Sequence, residues 1–218
     1  MMILLFGPPG VGKGTQADLL SKKYNLKKFS MGDILREEVS FNSLLGSRVE
    51  EHIRLGNLVP DDIVVEIVEN FLIENRNGHI LFDGFPRTMN QALILERSLA
   101  RLGMSVDVAL EMYLSEEDII KRLRNRRHCP NCGRIYNYIT DPPKKDGVCD
   151  NCGQRLIKRI DDDEDVIKKR LEVYEEETKP ITDYYKSLSV YKQIDAAISR
   201  EEVFKKISGI INGRINKK

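Results

Sequence analysis

Gly7-Pro8-Pro9-Gly10-Val11-Gly12-Lys13-Gly14-Thr15 is the stretch that decides how this chain folds. The apolar run Met2-Ile3-Leu4-Leu5-Phe6 precedes it, and an amphipathic segment over 16–24 follows: strand, glycine-rich loop, helix. Such a loop turns its backbone N–H groups inward around a phosphate, and the positive end of the new helix adds to them. Gly10, Val11, Gly12, Lys13, Gly14 and Thr15 form the candidate cradle, with Lys13 long enough to reach the outer phosphates of a nucleotide. The spacing is G-x-x-x-x-G-K, but Gly14 stands where a hydroxyl normally ligates magnesium, and Thr15 comes one place late. Any magnesium here needs another ligand.

Outward from this loop, short apolar runs alternate with amphipathic helical stretches. Strands are expected near 26–29, at 79–82 ending on Asp83, over 106–114, and at 190–194 as an edge. Helical patterns fall at 64–75, 90–102, 116–126, 163–188 and 200–211. This alternation implies an α/β fold with a parallel sheet covered on both faces. Ligands of such sheets bind at the carboxyl ends of the strands, so the 7–15 loop and Asp83 should share one crevice. Two regions interrupt the rhythm. Residues 30–59 read as a helical insertion over the crevice. Residues 126–162 are rich in Cys, Pro, Gly, Asn and Asp, lack a helical pattern, and read as a small module flanked by two continuous helices.

The chain's four cysteines all lie in that module, as Cys129-Pro-Asn-Cys132 and Cys149-Asp-Asn-Cys152, a C-x2-C-x16-C-x2-C pattern with Gly133 and Gly153 after each second cysteine. The spacing matches a structural tetrahedral site of four thiolates, with zinc favoured and iron chemically open. His128 is a further candidate, although four thiolates already close the shell. A closed shell leaves no position for reactive water. The metal would instead replace the core that so short a module cannot build.

Charged residues make up 32% of the 218, yet net charge is only +1, which argues against a generally basic nucleic-acid binder. Apolar runs fall short of the roughly 20 residues that span a bilayer, and the N-terminus reads as a core strand rather than a leader. The expectation is a cytoplasmic, monomeric protein with no membrane or nucleic-acid partner.

Arginines cluster where glycine-containing loops and the module's hinges fall. Arg36 is in Ser30-Met31-Gly32-Asp33-Ile34-Leu35-Arg36, and Arg87 in Asp83-Gly84-Phe85-Pro86-Arg87-Thr88. Arg122 and Arg126 enter the cysteine module, and Arg159 and Arg170 leave it. Planar forks that grip phosphate oxygens in pairs explain arginine in preference to lysine. With GPPGVGKGTQA at 7–17, LFDGFPRT at 81–88, Gln91, RNRRHC at 124–129, the cysteine quartet and RIDDDED at 159–165, the chain resembles adenylate kinases of the long form. The likeness covers essentially its whole length.

The resemblance implies a P-loop core with a five-stranded parallel sheet (1–29, 60–125 and 163–218), a nucleoside-monophosphate-binding insertion (30–59) and a zinc-bearing, ribbon-like lid (126–162). It implies transfer of a phosphoryl group from MgATP to AMP, giving two ADP. The triphosphate would be held by the 7–15 loop, Arg122 and Arg126, with its adenine near Ile135, Tyr136 and Ile198. AMP would meet Met31, Arg36, Asn57, Leu58, Val59, Gly84, Phe85, Pro86, Arg87 and Gln91. Lys13, Arg87, Arg122, Arg126, Arg159 and Arg170 would surround the transferring group, the last two also reaching AMP. Asp83, with Asp33 as a second candidate, would anchor magnesium through water, and Asp161 and Asp162 would orient lid arginines. Met31 departs from the threonine common in the family, which weakens the case for strict AMP specificity. The rival readings are a UMP/CMP-type kinase, a zinc-ribbon nucleic-acid-binding protein and a nucleotide sensor without turnover. The full lid and Gln91 disfavour the first, the neutral charge the second, and the complete cation set the third.

Overall fold

The computed structural model describes residues 1–215. Strand β1 (Met2–Phe6) lies at the centre of a parallel five-stranded sheet with β2 (Lys27–Ser30), β3 (Ile80–Asp83), β4 (Val108–Tyr113) and β7 (Tyr191–Asp195), in the order β2-β3-β1-β4-β7. All five residues of β1 are apolar and buried, as a strand covered on both faces requires. Met2, Leu4 and Phe6 enter the core under α4 (Asp61–Glu74), α5 (Met89–Arg101) and α8 (Ile181–Ser187). Ile3 and Leu5 enter the opposite core, under α1 (Lys13–Tyr24) and α9 (Arg200–Ile215).

Register aligns the strand ends that matter. Leu5 and Ser30 both pair with Asp83, and Phe6 pairs with Glu111. The loop after β1, Asp83 and the start of α2 (Met31–Ser40) therefore open on one edge of the sheet. The 30–59 region holds α2 and α3 (Leu44–Leu55), helical as expected.

α6 (Glu116–Arg124) leads into the cysteine module, which contains an antiparallel pair, β5 (Arg126–His128) and β6 (Ile135–Asn137). Its core is Cys129, Tyr136, Cys149 and Leu156. The helix leaving it is not continuous over 163–188. α7 (Glu164–Val173) widens into a π turn at Tyr174–Thr178, closed by Lys179 N–H donating to Tyr174 O at 2.9 Å, before α8 begins. Pro180 explains the interruption. It lacks an N–H, and its ring excludes the carbonyl four residues back.

Candidate active site

The sharp turn after β1 needs glycine. A Cβ on Gly7 would lie 2.2 Å from Met112 O, and Gly12, which caps α1, has φ of 107°. The loop thus delivers the first amides of α1 to the strand ends. Lys13 folds back over it, donating to Gly7 O at 2.7 Å and Pro8 O at 2.8 Å. Burial depresses the Lys13 pKa; Asp83 partly opposes this and Arg87, Arg170 and Arg126 push further, leaving it about 7. Asp83 moves up instead, because burial outweighs the attraction of Lys13 and Lys28.

The arginines converge on the same crevice. Arg36 pairs with Asp33 at 2.6 Å and lies 3.8 Å from Asp161. The Arg87 Nε–H donates to Gly84 O at 2.9 Å. Arg126 grips Asp162, which is 0% exposed, through Nε at 2.8 Å and Nη2 at 2.5 Å. Arg170 donates to Asp161 O at 2.9 Å, and its Nη1 forms an ion pair with Asp161 Oδ2 at 2.9 Å. Arg159 is 9% exposed, its nearest carboxylate is Asp33 at 4.0 Å, and its buried Nε has no hydrogen-bond partner. Burial and the neighbouring Arg126 and Arg36 lower the Arg159 pKa to about 9, while burial lowers that of Arg170 to about 10 despite Asp161. Arg87 moves down too, through burial and Arg36. A crevice that makes four cations give up proton affinity is built for a polyanion.

One cavity is lined by Lys13, Met31, Arg36, Asn57, Leu58, Val59, Gly84, Phe85, Pro86, Arg87, Gln91, Asp161 and Arg170, gathering most of the expected monophosphate-site residues. Gln91 is 2% exposed and its amide is held at both ends. Arg87 N–H donates to its Oε1 at 2.8 Å, and its Nε2 donates to Asp61 Oδ1 at 2.7 Å. An N–H can only donate and a carboxylate can only accept, so the two partners dictate which way the amide points. Asp61 carries no sequence signature beyond an acidic helix start, and sequence reasoning missed it.

The second expected group is only partly assembled. Arg122 donates to Val11 O at 3.1 Å and Ala196 O at 2.8 Å, and borders a second crevice with Leu114, Ile139, Thr140 and Ala197. Ile135 reaches the phosphate loop: its Cδ1 is 3.9 Å from where a Gly14 Cβ would stand. Tyr136 does not face that crevice. It is buried in the cysteine module, with its hydroxyl 3.4 Å from Cys149 Sγ and accepting from Asp150 N–H at 2.7 Å. Ile198 packs against the core beside α9, and its neighbour Ala197 lines the crevice in its place. Alternation along an irregular segment could not say which side chain turns outward.

A Cβ at Gly14 would also stand 3.4 Å from Asp83 Oδ2, so the missing hydroxyl leaves room beside that carboxylate. Asp83 fits as the alternative magnesium anchor, whereas Asp33 is engaged by Arg36.

The cysteine sulfurs lie within 4.8 Å of one another, with Cys129–Cys152 at 3.4 Å and Cys132–Cys149 at 3.6 Å. A tetrahedron with bonds of about 2.3 Å needs sulfurs about 3.8 Å apart, so the quartet fits a metal. Both knuckles fold alike: Gly133 N–H donates to Cys129 O at 3.0 Å, and Gly153 N–H to Cys149 O at 2.8 Å. His128 is not part of the cluster. The module is folded down on its surroundings, with Asn137 Nδ2 donating to Arg122 O at 2.9 Å and Arg200 pairing with Asp141 at 2.9 Å. Among the described residues no helix is long and apolar enough to cross a membrane.

The family model for adenylate kinase matches residues 5–190. An adenylate kinase of Caldicellulosiruptor saccharolyticus is 44% identical over 205 residues, covering 93% of this chain and 94% of its own length. One of Geotalea daltonii is 43% identical over 215 residues, covering 98% of this chain and 100% of its own, and one of Archaeoglobus fulgidus is 41% identical over 213, covering 97% and 98%. Neighbours of this kind, over a crevice built of these cations, leave one assignment: the chain belongs to the adenylate kinase family.

Proposed function

We propose that the crevice carries reversible transfer of the terminal phosphoryl group of MgATP to AMP, giving two ADP, with the following division of labour. The amides of 10–15 and Lys13 hold the triphosphate. Arg36 and Arg87 take the AMP phosphate, and Gln91 reads the adenine edge in the cavity with Met31, 57–59 and 84–86. Arg122, Arg126, Arg159 and Arg170 neutralise charge on the phosphoryl group as it passes. Asp83 would hold magnesium through water, and the ion would supply charge neutralisation. The carrying observation is the convergence of Lys13, Arg36, Arg87 and Arg170 on one cavity, with Arg159 buried and its Nε unpartnered. Transfer needs in-line placement and neutralised charge rather than a general base, because the AMP phosphate is already an anionic nucleophile.

Residues 30–59 and 126–162 act as two flaps over the core at 1–29, 60–125 and 163–218, and their closure excludes water that would otherwise hydrolyse ATP. Cys129, Cys132, Cys149 and Cys152 would hold zinc, which would keep the 126–162 flap rigid. Cysteines kept out of disulfides and available to a metal suit a reducing compartment, so the protein is taken as cytoplasmic. It is also taken as a monomer, which light scattering checks. The decisive experiment supplies purified protein with ATP and magnesium and compares AMP, UMP, CMP and GMP as acceptors. Diphosphate should form fastest from AMP, and absence of ADP from AMP would overturn the assignment.

A further inference from the structure

β4 carries a carboxylate where an aliphatic side chain is expected. Val108, Leu110 and Met112 enter one core and Ala109 the other. Glu111 follows on the Ala109 side, 6% exposed, in register between Phe6 of β1 and Gln193 of β7. Its partners are all neutral donors: Tyr174 Oη and Thr182 Oγ1 to Oε1, each at 3.1 Å, and Tyr191 Oη and Gln193 Nε2 to Oε2, the latter at 3.3 Å. A buried carboxylate is costly unless its lone pairs are filled, and here four donors meet two oxygens.

One of those donors, Tyr174, opens the π turn at Tyr174–Thr178 and another, Thr182, lies in the first turn of α8 beyond it, so one carboxylate oxygen ties the irregular segment and the helix after it to the sheet. The turn carries Thr178, which is buried and whose hydroxyl donates to Arg87 O at 2.8 Å. Arg87 N–H is held from the other side by Gln91. The Arg87 main chain is therefore pinned by two side chains, one of which depends on the π turn. Glu111 itself does not line the cavity that Tyr174, Thr178 and Arg87 share.

We propose that Glu111 is a positioning residue for the monophosphate subsite: by clamping the π turn it sets Thr178 against the Arg87 backbone and so aims the Arg87 guanidinium. This rests on Arg87 as a ligand of the AMP phosphate. A merely structural Glu111 would lower the melting temperature and leave both Michaelis constants of the folded enzyme alone.

The test uses full-length, metal-loaded protein. Glu111→Gln keeps the side-chain volume, and Thr178→Val keeps the shape while removing the donor to Arg87. Each should raise KM for AMP about 5- to 20-fold while KM for ATP stays within about twofold, since small displacements of a positioned group are expensive. The double variant should be no worse than about twofold beyond the stronger single, because the two residues act along one path. An unchanged KM for AMP in Glu111→Gln, or effects that multiply in the double variant, would overturn the clamp. If Glu111→Gln fails to fold, Tyr174→Phe removes one donor to Oε1 and keeps the ring; an unchanged KM for AMP in it and in Thr178→Val is equally fatal. Arg87→Ala separates the two ideas. If it leaves KM for AMP unchanged, or wild-type protein makes no ADP from AMP, the reading of the subsite fails. If Arg87→Ala is impaired but the clamp variants are not, only the clamp fails.

Discussion

Lys13 and Gln91 show how neighbours set what one side chain can do. The Lys13 ammonium is desolvated and surrounded by arginines, so its pKa in the free protein is about 7. Bound phosphates would reverse that shift. Near pH 8 the free protein carries less than a full proton on Lys13 and the complex carries more, so binding takes one up. ATP affinity should therefore strengthen as pH falls from about 8.5 to 7 and level off below; calorimetry in buffers of different ionisation enthalpy reads the proton directly. The Gln91 amide is oriented by Arg87 N–H and Asp61. Asp61→Ala removes one of these constraints and should raise KM for AMP about threefold to tenfold, with little change for ATP, the scale of one hydrogen bond of about 1 kcal/mol. Steady-state kinetics with each nucleotide varied in turn checks it.

At the scale of elements, the cysteine module has its own logic. Four residues form its core, two of them cysteines, too little apolar surface to fold unaided. Cys129→Ser should lower the melting temperature by several degrees, as should treating the wild type with a strong chelator. Turnover at low temperature should stay within about threefold, because the sulfurs do not line the nucleotide crevices. A variant that kept its melting temperature but lost all activity would contradict the structural role. The π turn shows the opposite case, an element whose irregularity follows from Pro180 yet whose consequence, Thr178 against Arg87, is felt in another loop.

Across the whole molecule, carboxylates tie the 30–59 and 126–162 regions to each other and to α7. Asp33 of α2 faces Arg159 at 4.0 Å, and Asp161 faces Arg36 at 3.8 Å and Arg170 at 2.9 Å. Burial would raise the Asp33 pKa, but Arg36, Lys28 and Arg159 prevail and leave it about 2; Asp161 is likewise drawn down against burial by Arg170 and Arg36. Unfolded aspartates titrate near 3.9, so below that pH the unfolded chain takes protons that the folded chain refuses. This share of stability is present above about pH 4 and is lost as pH falls towards 2. Melting temperature measured across that window should drop steeply, and less steeply in Asp33→Asn. If the two slopes are equal, the Asp33 contacts with Arg36 and Arg159 do not contribute to stability.

Local chemistry decided much of this protein before any folding was considered. Glycines at 7, 10 and 12, an apolar strand before them and a helix after them leave the phosphate loop little freedom, because close approach and positive φ are properties of single residues. The thiolate spacing is equally local, since each knuckle closes within five residues, and the strand and helix alternation prescribed a parallel sheet. Where side chains converge from distant segments, the sequence was silent. Asp61 meets Gln91 across 30 positions, Thr178 meets Arg87 across 91, and Glu111 collects donors from 63 to 82 residues away. Of the residues expected at a nucleotide ring, Tyr136 turns into the core of the cysteine module and Ile198, half-buried, packs against the sheet's core. Those outcomes depend on which face of an irregular segment is buried, and only packing of the whole chain makes that choice.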